Sequence, residues 1–477
     1  CYNSCVNWSS KFKIKMKTKT IKKNILIFGL GISGMSFANY LKDKVNNLYC
    51  WDDQLRIRNK GIRSGLQIKS INNLKFQYLD YLVLSPSINH RLKTPHEVVS
   101  KALKEKVKIT TDLEFLNIFQ IPNFLIGVTG TNGKSTTTKF IENCLTNSKN
   151  QCIAFGNIGI PLGNIINDLL NDDILAVEVS SFQLDKIINL KFHIAVLLNI
   201  SKDHLDWHGS WEEYIQSKLK IFKNQDEDCF AIICIDDKNC ESIAKNFDKR
   251  FISKLIKIST KKKINNGIYL EQKKQSLMII NNLNQTKIII EKKKLLFTRA
   301  DHNYQNLLAA YTCHFLLKKN NSSFLNLVYK LKNLEHRLEL VAKIKNISIF
   351  NDSKSTNINS AKNAIKSLDN IYWILGGRKK KEGIDGIQSS LKKIIKTYTF
   401  GEAGQEFNEF LRKKKIQSNK FSSLELAIEN ALKDSLKEKI EINILFSPAC
   451  SSFDEFKNFE ERGKYFKKHV KRILKNV

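Results

Sequence analysis

The chain has 477 residues, more than one ordinary hydrophobic core organises, so about three domains are expected. Hydrophobic residues make up 42% and charged residues 26%, which excludes a disordered or membrane-embedded chain. The formal net charge of +33 raises the question of a polyanionic partner, but the lysines are spread along the whole chain beside Ile and Asn. They read as solvated faces rather than a binding stripe, and no nucleic-acid partner is expected.

Residues 1–23 form a basic N-terminal extension, in which the chain starts at Cys1 and Met16 shortly precedes the first strand. The first strand is Asn24 to Phe28. It runs into Gly29, Gly31 and Gly34 and then a helix to about Leu41, a strand–turn–helix pattern. A second strand ends near Asp52 and Asp53, and a third spans Tyr81 to Ser85 before Pro86. The pattern restarts near Pro122 with the strand Phe124 to Val128, a glycine loop and a helix. Buried strands follow at Ile174 to Val179, Ile194 to Ile200 and Phe230 to Ile235. Residues 254–295 change to short alternating runs, expected to be antiparallel strands in a small side sheet. A third block follows His336, with strands at Ile347 to Phe350, Ile371 to Leu375, Thr397 to Phe400 and Ile442 to Phe446. The fold class is therefore α/β in three domains. A Rossmann-like domain over 24–120 precedes a P-loop α/β domain over 121–333 and a second Rossmann-like domain over 334–477.

Ten cysteines without a C-x-x-C pair argue against structural zinc and a disulfide framework, which fits a reducing cytoplasm. No apolar run reaches the ~20 residues of a membrane span and no signal peptide is apparent, so no membrane insertion is expected.

The strongest local signal is the run from Gly127 through Gly130, Thr131, Asn132, Gly133, Lys134, Ser135 and Thr136, between a strand and a helix. Backbone N–H groups of such a loop, with a helix N-terminus behind them, cradle phosphates. Lys134 would reach the β and γ phosphates and Ser135 would offer a hydroxyl to Mg²⁺, a hard ion that takes oxygen ligands. Val128 stands where strict Walker spacing requires glycine, so the loop is a variant, T-G-T-N-G-K-S. Downstream, Glu178 and His204 each follow an apolar strand, where a carboxylate and an imidazole join a metal shell. The glycine fingerprint at 29–34, read alone, suggests NAD with Asp52 on the ribose. An NAD-dependent oxidoreductase is therefore an alternative reading.

The variant loop resembles that of the Mur ligase and folylpolyglutamate synthase superfamily, and the likeness continues in order along the chain. Tyr214 to Phe222 resembles the segment whose lysine, here Lys218, becomes a carbamate by adding CO₂; such a lysine needs a lowered pKa. Asp301 to Ala310 resembles the H-N-x-x-N-x-x-A-A helix, which implies that Asn303 and Asn306 lie near adenine. His336 and Arg337 match the H-R element, and Asn351 to Asn357 the N-D-S-K-A-T-N segment with Ser355 replacing the small apolar residue. The resemblance implies ribose contact for Asp352, phosphate contact for Arg337 and Lys354, and acceptor contact for Thr356. It implies ATP with two Mg²⁺ ions held by Ser135, Glu178, His204 and Lys218 as carbamate. The catalytic set is then Lys134, Glu178, His204, Lys218, Arg337 and Lys354.

Ser447 to Gly463 looks like the C-terminal signature of the branch that adds D-glutamate, and no D-N-P-R element of diamino-acid ligases is present. This implies that D-glutamate meets Thr356, Lys380, Ser447 and Phe453, with Lys379 and Lys381 as neighbours that leave the register open. It also implies that the first domain holds the UDP of a UDP-N-acetylmuramoyl-L-alanine substrate rather than NAD. Gly31, Ser33, Gly34, Asp52, Asp53, Ser85 and Pro86 would surround the UDP, with Asn157 and His204 toward the muramoyl part. The implied protein is a cytoplasmic, monomeric, peptidoglycan-precursor ligase; a folylpolyglutamate synthase-like ligase is the alternative within the superfamily.

Overall fold

Phe124–Thr129 is buried along its whole length, as a strand covered on both faces by helices must be, and it stands inside a nine-stranded sheet. The computed structural model describes residues 19–86, 88–146, 151–157, 159–297, 301–317, 320–378 and 384–475. These gather into two compact units. One comprises the described residues among Cys1–Lys293 and Asp301–Val328, the other those among Lys294–Ala300 and Tyr329–Val477.

The first unit holds two sheets. β1 (Ile21–Phe28), β2 (Val45–Trp51), β3 (Tyr81–Leu84) and β4 (Lys108–Thr110) form a parallel sheet in the order β2-β1-β3-β4. The central sheet contains β5 (Phe124–Thr129), β6 (Cys152–Gly156), β7 (Ile174–Glu178), β8 (Ile194–Leu197), β9 (Phe230–Cys234), β10 (Lys254–Ser259), β11 (Ile268–Gln272), β12 (Ser276–Asn281) and β13 (Thr286–Glu291). Its order is β13-β12-β11-β10-β9-β8-β5-β7-β6.

The expected side sheet is corrected here: the strands over 254–291 extend the central sheet rather than forming their own. The helix Lys238–Lys245 lies between β9 and β10, so β10 enters parallel to β9. β11 joins β10 in parallel through only two register pairs, Ile258 with Ile268 and Ser259 with Tyr269. Antiparallel pairing, as expected from the alternation, appears between β11 and β12 and between β12 and β13. β1 also starts earlier than expected, at Ile21, inside the segment read as an extension.

The two sheets of this unit share one apolar cluster in which Ile25, Ile27 and Phe37 pack with Leu162, Ile166 and Leu175. Polar bonds reinforce the junction. Buried Glu114 accepts from the backbone N–H groups of Ile188 (2.9 Å), Asn189 (2.9 Å) and Leu190 (3.3 Å). Asp185, whose side chain is wholly buried, pairs with Arg91 from the loop after β3 and with Lys220 at 2.9 Å. Burial alone would raise the Asp185 carboxyl, but Arg91 and Lys220 outweigh it and hold it at about 2.

The second unit is built on β14 (Glu339–Ile344), β15 (Ile347–Asn351), β16 (Ile371–Gly376), β17 (Ile394–Phe400), β18 (Gln417–Lys420) and β19 (Ile442–Phe446), in the order β14-β15-β19-β16-β17-β18. All neighbours are parallel except β14 with β15, and apolar clusters cover both faces. Arg462 is fully buried and donates to Ser353 Oγ and to the carbonyls of Ser353, Cys450 and Ser451 at 3.0–3.1 Å. It thereby locks the loop after β19 to the loop after β15.

Arg91→Ala leaves buried Asp185 with Lys220 as its remaining cation, so the variant is expected to destabilise the first unit by about 1.5–3 kcal/mol in urea unfolding at pH 7, the loss of hydrogen bonds to a charged group. Because the native Asp185 carboxyl lies below its ordinary 3.8, its contribution is present above that value and lost as the pH falls toward about 2. The gap between wild type and variant should therefore narrow over that window; a constant gap would show that the pair is not its source.

Candidate active site

Three adjacent strands, β7, β5 and β8, end at one edge of the central sheet; Glu178 is the last residue of β7, residues 130–136 form the loop and first helical turn after β5, and His204 lies in the loop after β8. Ligands of open α/β sheets lie at such strand ends, where the chain order reverses. Gly133 is left-handed (φ +85°), and a Cβ there would sit 2.4 Å from Asn306 Oδ1, so conformation and space both require glycine. Asn199 splints the loop: its Oδ1 accepts from Asn132 N (2.8 Å) and its Nδ2 donates to Asn132 O (3.1 Å) and Gln305 Oε1 (2.9 Å). Lys134 Nζ folds back to the carbonyls of Gly130 and Thr131, both at 3.0 Å. The helix Lys134–Leu145 then starts at Gly133 without a side-chain cap, a positive helix end of the kind that suits an anion. Ser135 and Thr136 are buried in its first turn.

Lys218, 1% exposed, donates to the same Gly130 carbonyl at 2.8 Å and lies 4.7 Å over the Tyr214 ring. The Tyr214 hydroxyl is 2.9 Å from Thr131 Oγ1. Burial, then the nearby Lys134 charge, pushes the Lys218 amine well below the usual lysine range, which favours the neutral, nucleophilic form. Glu178 is 2% exposed; its Oε1 accepts from Asn157 Nδ2 at 3.0 Å, while its buried Oε2 has no partner among the described residues. A buried carboxylate oxygen left in this way is suited to a cation. His204 adopts a left-handed backbone (φ 51°) at the start of the short helix Leu205–His208. Its half-exposed ring stands edge-on to Phe182 and 3.4 Å from the Asp203 carboxylate. No three His, Cys, Asp or Glu side chains converge as a ready metal site among the described residues. The fit to Mg²⁺ therefore rests on oxygen donors, above all the buried Glu178 Oε2, which has no partner among the described residues.

Asn306 and Asn303 lie in the buried face of the helix Asp301–Leu316, behind the loop rather than on an open surface. Asn306 Oδ1 accepts from Thr137 Oγ1 at 3.0 Å, and its Nδ2 donates to Asn303 Oδ1 at 3.3 Å.

In the first sheet, β1 runs into Gly29 and Gly31, and a Cβ on Gly34 would lie 2.0 Å from the Gly29 carbonyl, so this close crossing needs glycine. Gly31 caps the helix Ile32–Leu41, with Ser33 half-buried in its first turn. Asp52 braces the turn: Oδ2 accepts from Leu30 N (2.8 Å) and Oδ1 from Gln54 N (2.9 Å). Asp53 pairs with His96 at 3.1 Å. Ser85 and Pro86 follow β3 beside the turn, the Ser85 N–H donating to Phe28 O at 3.0 Å; Ser87 lies outside the described residues.

In the second unit, Asp352 and Ser447 follow the adjacent strands β15 and β19 and bind each other. Asp352 Oδ2 accepts from Ser447 Oγ (2.7 Å) and Ser355 Oγ (2.5 Å), and its Oδ1 from Leu338 N (3.1 Å). Both side chains face inward, so in this conformation they organise the strand ends instead of pointing to solvent. Lys354 is half-buried with its amine 5.3 Å over the Phe459 ring, Thr356 is half-buried beside it, and Arg337 is half-buried at the preceding turn. Phe453 is 60% exposed, and Lys380, with Lys379 and Lys381, lies outside the described residues.

Sequence reasoning did not find the bracing residues: Asn199 and Gln305 behind the loop, and Asp185, His208 and Ser217 beneath Lys218. Their partners are far away in the chain, and no local spacing marks them.

Burial pushes the Asp352 carboxyl up to about 6 from 3.8, against its hydrogen bonds. The folded state then holds a proton that the unfolded chain releases, so stability present below pH 3.8 is lost as pH rises to about 6, a cost of roughly 3 kcal/mol at neutrality. Urea unfolding of Asp352→Asn at pH 4 to 7 should lack this decline; a parallel pH dependence in variant and wild type would assign it elsewhere.

Two family models match the chain, the Mur ligase middle domain over residues 128–314 and the Mur ligase, glutamate ligase domain over 336–450. The UDP-N-acetylmuramoylalanine--D-glutamate ligase of Rickettsia prowazekii (strain Madrid E) is 37% identical over 454 residues, covering 94% of this chain and 98% of the relative. The enzyme of the same name from Caulobacter vibrioides (strain NA1000 / CB15N) is 32% identical, with 94% and 95% covered. Among solved structures, MurF ligase from Thermotoga maritima in complex with ADP shares the fold at TM-score 0.58 and 16% identity, covering 96% of this chain and all of the other.

Proposed function

The chain belongs to the Mur ligase family, and from that membership we propose that it joins D-glutamate to UDP-N-acetylmuramoyl-L-alanine, converting ATP to ADP and phosphate, in peptidoglycan precursor synthesis. The observation that carries this reading is the likeness, over nearly the full length of both chains, to relatives named for that reaction. The C-terminal run from Ser447 to Gly463 supports glutamate as the added amino acid, and the chain acts as a monomer in the cytoplasm.

A carboxylate resists attack by an amine, so it must first receive a leaving group. The alanyl carboxylate attacks the γ-phosphorus of ATP; a P–O bond forms, the bond to the β-phosphate oxygen breaks and ADP leaves. The D-glutamate amine then attacks the acyl carbon of the acyl phosphate, and the tetrahedral intermediate collapses with loss of phosphate and a proton. Such transfers depend on positioning and on charge neutralisation more than on covalent help from the protein. The N–H groups of residues 130–136 and the Lys134 ammonium supply that for the ATP phosphates, and Arg337 and Lys354 are assigned to the transferring phosphoryl group. Asn303 and Asn306 act on the nucleotide through the loop they brace, with Asp352 on the ribose side. Thr356, Lys380, Ser447 and Phe453 are assigned to D-glutamate, and the first-sheet turn at Gly31, Ser33 and Gly34, with Asp52, Asp53, Ser85 and Pro86, to UDP.

Mg²⁺, when bound, supplies positive charge beside the phosphate oxygens. Ser135, Glu178 and His204 would hold it, with two ions in all, and Asn157 would orient Glu178. The depressed amine of Lys218 favours attack on CO₂, giving a carbamate oxygen as a further ligand.

Phosphate release with UDP-N-acetylmuramoyl-L-alanine and ATP is expected with D-glutamate and absent with L-glutamate, L-lysine or meso-diaminopimelate. Release with a different amino acid would overturn the assignment. For the carbamate, ¹³C-bicarbonate should give a carbamate resonance that disappears in Lys218→Ala together with activity, which falls by about a hundredfold or more. Full activity in that variant would remove Lys218 from the site.

A further inference from the structure

Glu178, His204 and Lys218 come from three different loops and helices, and one buried imidazole touches all three supports. His208 ends the short helix that His204 starts and is 3% exposed. Its Nε2 lies 3.0 Å from Ser181 Oγ, three residues beyond Glu178, and its Nδ1 lies 3.2 Å from Ser217 Oγ, directly before Lys218. The ring stacks on Phe182, at 5.6 Å between centroids, and Phe182 in turn meets the His204 ring at 4.8 Å. On its other side it meets Tyr214 at 5.3 Å, the ring that lies under the Lys218 amine. Ser217 Oγ also donates to Asp185 at 3.4 Å, which extends the network to Arg91 and the loop after β3.

We propose that His208 is a positioning residue for the cation site: by bridging Ser181 and Ser217 it sets the spacing of Glu178, His204 and Lys218 without touching substrate or metal. The inference rests on the reading of those three residues as Mg²⁺ ligands. An imidazole has two nitrogens at opposite sides of a rigid ring, one donor and one acceptor when neutral; because Ser217 Oγ gives its one proton to Asp185, Nδ1–H donates to Ser217 and Nε2 accepts from Ser181 Oγ. An asparagine amide reproduces the Nδ1 position only and a glutamine amide the Nε2 position only, while phenylalanine keeps the packing and loses both bonds. Supports of this kind act on a metal through its ligands, and their removal costs about 10–100-fold in metal affinity or activity.

The test uses the full chain as His208→Phe, His208→Asn and His208→Gln. It measures the Mg²⁺ concentration for half-maximal phosphate release, the KM for D-glutamate and the ¹³C carbamate resonance, with thermal unfolding as the folding control. His208→Phe should need about tenfold more Mg²⁺ or above and show a weaker carbamate resonance. Its KM for D-glutamate should stay within about twofold of wild type, because no supported ligand belongs to the amino-acid site. The asparagine and glutamine variants should fall between, and they decide the comparison if the phenylalanine variant does not fold. A folded His208→Phe with wild-type Mg²⁺ demand and carbamate overturns the proposal, as does a general loss of rate with unchanged Mg²⁺ demand. Wild type without Mg²⁺ dependence or a carbamate resonance overturns the cation-site reading itself, and the proposal with it.

Discussion

Parallel strands all deliver their C-terminal ends to one edge of a sheet, and the chemistry of this molecule depends on that geometry. β7, β5 and β8 are neighbours, so Glu178, the phosphate loop and His204 arrive side by side although up to 74 residues separate loop and imidazole in the chain. β15, β19 and β16 repeat the arrangement in the second unit, bringing Asp352, Ser447 and the glycine pair Gly376 and Gly377 to one edge. Strand order in each case does what no local sequence feature could, because neighbours in the sheet are not neighbours in the chain.

That edge is only useful if the loops on it are stiff, and each is held by buried polar bonds rather than by its own hydrogen bonding. Asn199 splints the loop at Asn132, Asn306 closes the space behind Gly133, and Asp52 fixes the first-sheet turn through Leu30 and Gln54. The same strategy leaves some groups chemically altered. Lys218 loses its proton more readily than an ordinary lysine because it is buried beside another lysine, and Asp352 keeps its proton up to about pH 6 because burial outweighs three hydrogen bonds. Glu178, at the end of β7, keeps one buried oxygen without a partner among the described residues.

Strands with strong β-branched or aromatic runs, such as Phe124–Thr129 and Ile371–Gly376, were legible in the sequence because burial on both faces forces a continuous apolar composition. Lys108–Thr110 and Gln417–Lys420 were not: one is three residues long, and the other is a polar strand at the edge of its sheet. The site residues carried by compact motifs were readable, because glycine, lysine and serine at fixed spacing have a local purpose. Roles that depend on orientation were less so. The sequence places Asp52, Asp352 and Ser447 against a ligand, whereas in the structure their oxygens meet backbone N–H groups and one another. The run over 254–291 has the alternation of a separate sheet, and its composition contains nothing to say that its first strand pairs with β9.

The two-pair seam between β10 and β11 has a further effect. Beyond it the β11–β13 ribbon is well paired internally, so the seam is where the fewest backbone pairs join the central sheet and where local opening costs least. The ribbon is tied instead to the helix Asp301–Leu316, through Gln272 to Asp301 (2.9 Å) and Asn281 to Tyr311 (3.4 Å). That helix also carries Asn306, so local opening of the ribbon and order in the phosphate loop share one mechanical link. An occupant that stiffens the loop would slow amide exchange in strands at the far margin of the sheet, by linkage alone and without any contact between them.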